Sequence, residues 1–272
     1  MLTINKIQCK SIINRSQIPG LDYTINPYLG CAHGCVYCYA RFMSKYTAHQ
    51  SEWGSFVDVK INAPEICEKQ IKKIRPGLVS LSTVTDPYQA AEKKYELTRQ
   101  ILTILAEHRF PISILTKSGL VLRDMDILKK FEKSECEVGF SIATLDEKVH
   151  RTFEPHAPSI RDRIKALKTL HDEGIKTWVF IAPILPVLTQ QTLFELLSEL
   201  KEFADYILVD RLNIKCGNWK VISNVLGTRF PEYLVKWKEM LFNREKRGSY
   251  NEMIYQQISD YCQSHKLQVR FC

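Results

Sequence analysis

Apolar and polar positions along this chain follow two periods in turn. Six short apolar runs predict strands: Tyr23–Asn26, Leu78–Ser82, Ile112–Thr116, Glu137–Ile142, Thr177–Ala182 and Tyr206–Val209. Thr177–Ala182 is apolar without alternation, as a strand covered on both faces should be. Between the runs, apolar residues recur at helical spacing. Leu97, Ile101, Leu105 and His108 share one face of a helix predicted over Ala91–His108. Ile160, Ile164, Leu167 and Leu170 stripe another, which Ser159 and Asp162 open as a near capping box and Gly174 follows. Leu193, Leu196, Leu197, Leu200 and Phe203 stripe a third. Further helices are expected over Cys38–Ala48, Ala63–Lys73 and Arg123–Phe131, and a small edge strand over Val57–Ile61. Residues 1–24 read as a lead-in strand or arm. Past Arg211, helices near Glu232–Phe242 and Glu252–Ser264 precede a strand at Leu267–Phe271.

Strands alternating with helices imply a parallel sheet with right-handed crossovers. Six strands rather than eight predict an α/β fold of the partial (β/α)6 TIM-barrel type. Residues 1–210 form its core, and residues 211–272 are a C-terminal helical extension packed on the same domain. Apolar residues are 45% of the 272, enough for a full core. No run approaches a membrane span and the first ten residues are no signal peptide, so a cytoplasmic protein without a membrane partner is expected. Outside one motif the cysteines are scattered, which suits a reducing compartment and is no disulfide framework.

The net charge of +8 is uneven: Arg211–Tyr250 holds nine Lys or Arg against three Glu, interleaved with Trp219, Phe230, Tyr233, Trp237 and Phe242. Such a mixture can track phosphates and stack bases, so an anionic partner such as nucleic acid is expected; a solvated helix face with core aromatics is the plainer alternative.

The motif is Asn26-Pro-Tyr-Leu-Gly-Cys-Ala-His-Gly-Cys-Val-Tyr-Cys38. Cys31, Cys35 and Cys38 stand as C-x3-C-x2-C, with Tyr37 before the last cysteine and Gly30 and Gly34 bracketing the first step. Three thiolates so close can hold three corners of a 4Fe-4S cube and leave one iron open, whereas ordinary cubes take four. Zinc, or a simple electron-carrier cluster, is the rival, although structural zinc wants a fourth ligand that no nearby pair supplies.

This stretch resembles the radical S-adenosylmethionine (radical SAM) superfamily. The resemblance implies a 4Fe-4S cluster on the three cysteines, whose open iron chelates SAM and whose electron cleaves it to methionine and a 5′-deoxyadenosyl radical. It also implies an electron donor such as flavodoxin or ferredoxin. Chemistry in parallel barrels sits at the C-terminal ends of the strands. There the chain carries Thr83-Val-Thr-Asp-Pro-Tyr-Gln89, Thr116-Lys-Ser118, Ser141-Ile-Ala-Thr144 and Asp210-Arg-Leu-Asn213. Asn26-Pro-Tyr-Leu-Gly-Cys31, Thr85-Asp-Pro-Tyr-Gln89, Thr116-Lys-Ser118 and Phe153-Glu-Pro-His-Ala-Pro158, with Arg161 and Arg163, resemble the branch that includes spore photoproduct lyase. By that resemblance Thr85 and Lys117 contact the methionyl part of SAM, Ser141 the ribose region, and Tyr37 lies near the adenine. One position departs: Thr83 stands where the lyase carries its hydrogen-donating cysteine, and a threonine O–H bond is too strong to replace it. Repair of thymine dimers is therefore not expected.

Plainer roles stand beside these. For Asp86 the plainer role is to cap the helix that follows, a use common to Asp. Glu154 sits in a turn or serves as a base, and Arg163 lies on a solvated helix face or in the site. His33 is crowded by its neighbouring thiolates as a metal ligand. Cys216 is a hydrogen-atom donor or a small apolar filler. The function expected is a radical SAM enzyme acting on an unassigned, anionic substrate; the alternative is a non-catalytic iron–sulfur or zinc protein that binds nucleic acid.

Overall fold

The structure, a computed structural model, describes residues 2–47, 49 and 51–272. The chain forms two compact units, each built from separated stretches. The first takes Met1–Gly34, Met43–Phe140 and His156–Thr177; the second takes Cys35–Phe42, Ser141–Pro155 and Trp178–Cys272.

The first unit holds two sheets. β1 (Thr3–Ile7), β4 (Tyr28–Leu29) and β5 (Phe56–Lys60) make the smaller, with β5 in the middle, parallel to β1 and antiparallel to β4. The expected edge strand at Val57–Ile61 is thus a central strand, and its near-complete burial explains its unbroken Phe-Val-Asp-Val run. In the larger sheet β2 (Ile13–Arg15) runs antiparallel to β3 (Tyr23–Ile25), and β3 is followed in parallel by β6 (Val79–Leu81), β7 (Ile112–Thr116) and β8 (Cys136–Ser141, its last residue belonging to the second unit). Register puts Ile25, Leu81, Ile114 and Val138 in one row across four strands, each with no exposed surface. Burying such a side chain stabilises by about 1.5–3 kcal/mol, and a slip of one residue would turn the whole row to the opposite face. The row also levels the strand ends, so the loops that follow β3, β6 and β7 leave the sheet together.

The second unit carries β9 (Lys176–Ile184, its first two residues belonging to the first unit), β10 (Tyr206–Arg211) and β11 (Gln268–Phe271), all parallel with β10 between the others. The six strands expected from the apolar runs are β3, β6, β7, β8, β9 and β10, close to their expected spans. The α/β class with a mostly parallel sheet is therefore confirmed. β11 is the strand expected at Leu267–Phe271, and it extends the series by pairing in parallel with β10.

Four expectations need correction. The helix over Ala91–His108 is two, Glu92–Tyr95 and Leu97–Glu107, broken at Glu96 with φ 49°. The cause is Glu92, whose buried carboxylate accepts the amides of Thr98 and Arg99 at 3.0 and 3.2 Å and so starts the second helix itself. The segment after Cys38 is a 3₁₀ helix, Tyr39–Tyr46; its expected end, Ala48, lies outside the described residues. Arg123–Phe131 shortens to a helix at Met125–Leu128 after a 3₁₀ turn. Arg163 is no solvated face: it is 1% exposed, and its guanidinium donates to the Pro158 carbonyl at 2.8 and 3.1 Å. Three helices among the described residues have no counterpart in the sequence reading: Glu147–Phe153, capped by Asp146, the short Leu188–Gln191, and Trp219–Arg229.

Burial pushes the thiols of Cys67 and Cys136 up to about 12 and that of Cys262 up to about 11. Alkylation requires the thiolate. Iodoacetamide at about pH 8 is expected to spare these cysteines in the native chain and to label all of them in urea, which mass spectrometry reads directly; native labelling of any would refute the packing described.

Candidate active site

The front of the cysteine loop belongs to the first unit and is braced on both of its faces. Gly30 has φ +84°, and a β-carbon there would stand 2.5 Å from the Phe56 carbonyl oxygen. Only glycine fits. The Gly30 carbonyl accepts the Thr85 hydroxyl at 2.6 Å and the Gln89 side-chain amide at 3.2 Å, and the Gln89 carbonyl oxygen accepts the Ala32 amide at 2.8 Å. Gln89 has no exposed surface, so one buried amide grips the backbone on either side of Cys31. Gly34, at φ +62°, closes the first turn with its amide on the Cys31 carbonyl at 3.3 Å, and a β-carbon on Gly54 would come within 2.6 Å of its Cα.

Asn26 performs the same service one strand away. Its side-chain oxygen accepts the amides of Thr83 and Val84, both at 3.0 Å, joining the end of β3 to the end of β6. Asp86 then joins β6 to β7. Its carboxylate accepts the Tyr88 amide at 2.8 Å, the Thr116 hydroxyl at 2.7 Å and the Lys117 amide at 2.8 Å, with the His33 ring 3.5 Å away. Asp86 is therefore not the helix cap considered from the sequence, because the following helix, Glu92–Tyr95, has Ala91 at its N-cap; it is a tie between two strand ends. Thr85 lies beside the cysteine loop through Gly30; Lys117 lies beside Asp86 through its own backbone.

The rest of the loop belongs to the second unit. Cys35 and Cys38 are joined by a turn in which the Cys38 amide donates to the Cys35 carbonyl at 3.1 Å. Cys35, Val36 and Tyr37 are buried in an apolar cluster with Phe153, Ile222, Phe230 and Trp237. The Tyr37 phenol donates to the Glu154 carboxylate, and the His150 Nε2 lies 3.6 Å from the other oxygen of that carboxylate. Glu154 is thus tied to Tyr37, whereas the sequence suggested only a turn or a base. Ser141 is 3% exposed and donates to the Ala182 carbonyl at 3.1 Å. Cys216 is half-buried in the loop after β10, just before Gly217.

Sequence reasoning had no role for Gln89, Asn26 or Asn218. The signal for the first two was their place at strand ends, where an uncharged amide can serve two backbone groups at once. As a donor set, three thiols from one eight-residue loop, with glycines wherever a side chain would collide, suit an iron–sulfur cube. Among the described residues no three His, Cys, Asp or Glu side chains gather round one point as for a single bound ion. No helix of the described residues is long and apolar enough to cross a membrane.

Comparison with known proteins gives this geometry its setting. A protein of Methanocaldococcus jannaschii is 42% identical over 232 residues, 85% of each chain. A Pseudomonas phage M6 protein, named radical SAM Nα-GlyT isomerase, is 26% identical over 59% of this chain and 32% of its own. A solved spore photoproduct lyase variant with bound AdoMet and dinucleoside spore photoproduct superposes with a TM-score of 0.74 at 15% identity, over 99% of this chain and 81% of that one. At that identity the likeness is one of fold, and the fold is the partial-barrel α/β type expected from the sequence. The radical SAM superfamily model matches residues 25–200, which span the cysteine loop and all six strand ends except the last. The chain therefore belongs to the radical SAM superfamily: it is an enzyme of that family, and its cofactors are a 4Fe-4S cluster and S-adenosylmethionine.

Proposed function

We propose that Cys31, Cys35 and Cys38 hold the cluster and that the enzyme acts on nucleic acid or its nucleotides. The braced loop carries the first part of the reading: its backbone is held at Gly30 and Ala32 by the side chains of Thr85 and Gln89 and turned at Gly34. When bound, the cluster supplies the electron that cleaves SAM and yields a 5′-deoxyadenosyl radical. The chain's own residues then hold the cosubstrate. The Thr85 hydroxyl donates its one proton to Gly30 and accepts from Gln89 at 2.9 Å, which leaves one lone pair. Thr85 is thereby an acceptor, matched to the amino group of SAM. Lys117 supplies the charge for the SAM carboxylate. Ser141 and Tyr37 are assigned to the ribose and the adenine. A small iron–sulfur or flavin protein is the electron donor proposed, and the reducing cytoplasm is the compartment.

The substrate reading rests on a groove in the second unit. A cavity of about 650 Å³ lies between the helices Glu147–Phe153 and Trp219–Arg229, lined by Lys148, Arg151 and Arg229 with Thr152, Thr228 and one acid, Glu147. On the first of these helices Phe153 stacks on Phe230 and Trp237 at 6.2 and 5.8 Å, and the Lys148 ammonium stands 4.7 Å from the Phe230 ring. Cations with hydroxyls beside them suit phosphate oxygens. Binding of single- or double-stranded DNA or RNA is expected to fall steeply with salt. Each of Lys148→Ala, Arg151→Ala and Arg229→Ala is expected to lower the slope of log K against log salt by up to about one. Binding that is absent at low salt, or indifferent to all three changes, would remove this substrate class.

A further inference from the structure

Asn218, a residue of the segment after β10 to which the sequence assigned no role of its own, reaches the cysteine loop. It has no exposed surface. Its side-chain amide donates to the Tyr37 carbonyl and to the Asn213 carbonyl, each at 2.8 Å. Both of its protons are thereby used, while its side-chain oxygen is buried without a partner among the described residues. An amide whose two protons both go to backbone carbonyls serves as a donor rather than as a filler of apolar space. The chain places it firmly. Gly217, at φ +77°, turns the backbone just before it, and its own carbonyl accepts the Ile222 amide at 3.0 Å to begin the helix Trp219–Arg229.

The consequence lies in the peptide that follows Tyr37. A trans peptide points its C=O and N–H in opposite directions. With the Tyr37 carbonyl held by Asn218, the Cys38 N–H is aimed the other way, where it meets the Cys35 carbonyl at 3.1 Å. Glu154 holds the far end of the same residue through the phenol. Tyr37 is therefore fixed at both ends, and the turn that separates the second and third thiols cannot rotate freely.

We propose that Asn218 is a positioning residue for the Cys35–Cys38 turn: by fixing the Tyr37–Cys38 peptide it sets the spacing at which the two thiols are presented. This rests on the reading that these cysteines hold the cluster, and the test separates the two claims. Phenylarsine oxide bridges thiols at a fixed spacing and needs no iron. Its affinity would be measured on the full chain before reconstitution, for the parent, Asn218→Ala, Asn218→Leu and Asn218→Ser, with Cys38→Ala as the blank and circular dichroism as the check on folding. The alanine and leucine variants are expected to lose about tenfold in affinity, and the serine variant, which keeps one donor, to lose less. After reconstitution, the alanine and leucine variants should show an altered electron paramagnetic resonance spectrum of the reduced cluster. Parent-like arsenical affinity in Asn218→Leu, which fills the space but donates nothing, would overturn the proposal, as would parent-like affinity in all three; should the alanine variant fail to fold, the leucine and serine variants decide. Dependence of the arsenical on Asn218 in a parent that takes up no iron would leave the positioning role standing and remove the cluster assignment instead.

Discussion

Cys35→Ala is expected to abolish release of 5′-deoxyadenosine by the anaerobic, reconstituted protein given dithionite and SAM. Loss of even an outer partner of a metal ligand costs 10–100-fold, so loss of a ligand should exceed about a hundredfold. Cys35 is the position to change because it is shared by two features: it is buried in the apolar cluster of the second unit, and its carbonyl receives the Cys38 amide. Alanine keeps that backbone bond and removes only the sulfur, so folding should survive while one of the three thiol-held corners of the cube is lost. Release from the parent and none from the variant would establish the assignment of the cysteines. Equal release from both would refute it. No release from a parent that carries about four irons per chain and binds SAM would mean either that cleavage awaits the substrate or that the cluster serves structure alone.

The largest stability effect is expected at Glu92, far from the thiols in sequence. Its carboxylate has no exposed surface and receives the Tyr28 phenol, the Thr98 and Arg99 amides, and the Arg123 guanidinium at 2.7 Å. Burial and the neighbouring Glu92 hold the Tyr28 phenol far above its ordinary range, so the shared proton stays on tyrosine. Glu92→Ala would strand a half-buried guanidinium, a buried phenol and the first amides of the helix Leu97–Glu107. Breaking a buried charged pair from one side costs about 3–5 kcal/mol, which for a chain of this size lowers Tm by roughly ten degrees. Glu92→Gln keeps acceptors for the amides and should lose distinctly less. Thermal unfolding followed by circular dichroism distinguishes them; an alanine variant within about a degree of the parent would show that the network does not carry this region.

The sequence carried the strand series because each strand end was marked twice, by an apolar run and by polar residues just beyond it. Cys31, Cys35 and Cys38 were legible for a different reason: ligand spacing is a local property, complete within eight residues. What stayed hidden depends on contacts between distant stretches. Glu92 breaks the helix Ala91–His108 only because Tyr28 and Arg123 are folded against it. Arg163 reads as a polar helix position, and its burial follows from a carbonyl five residues back that the pattern does not announce. Val57–Ile61 has the composition of any short strand, and its central place depends on pairing with Thr3–Ile7. Asn218 resembles an ordinary residue before a helix, and its partner lies 181 positions earlier.

The braces on Gly30 and Ala32 also bear on how the enzyme matures. Small zinc modules fold only as metal arrives, because their loops have nothing else to define them. Here the loop's backbone is already held by Thr85 and Gln89, neither of which is a thiol or any other ligand of the expected cluster. Delivery of iron and sulfide is then expected to meet a loop whose first turn needs no metal to define it. A carrier could hand over its cargo after translation ends, and an enzyme that loses its cluster to oxygen could be refilled without passing through an unfolded state.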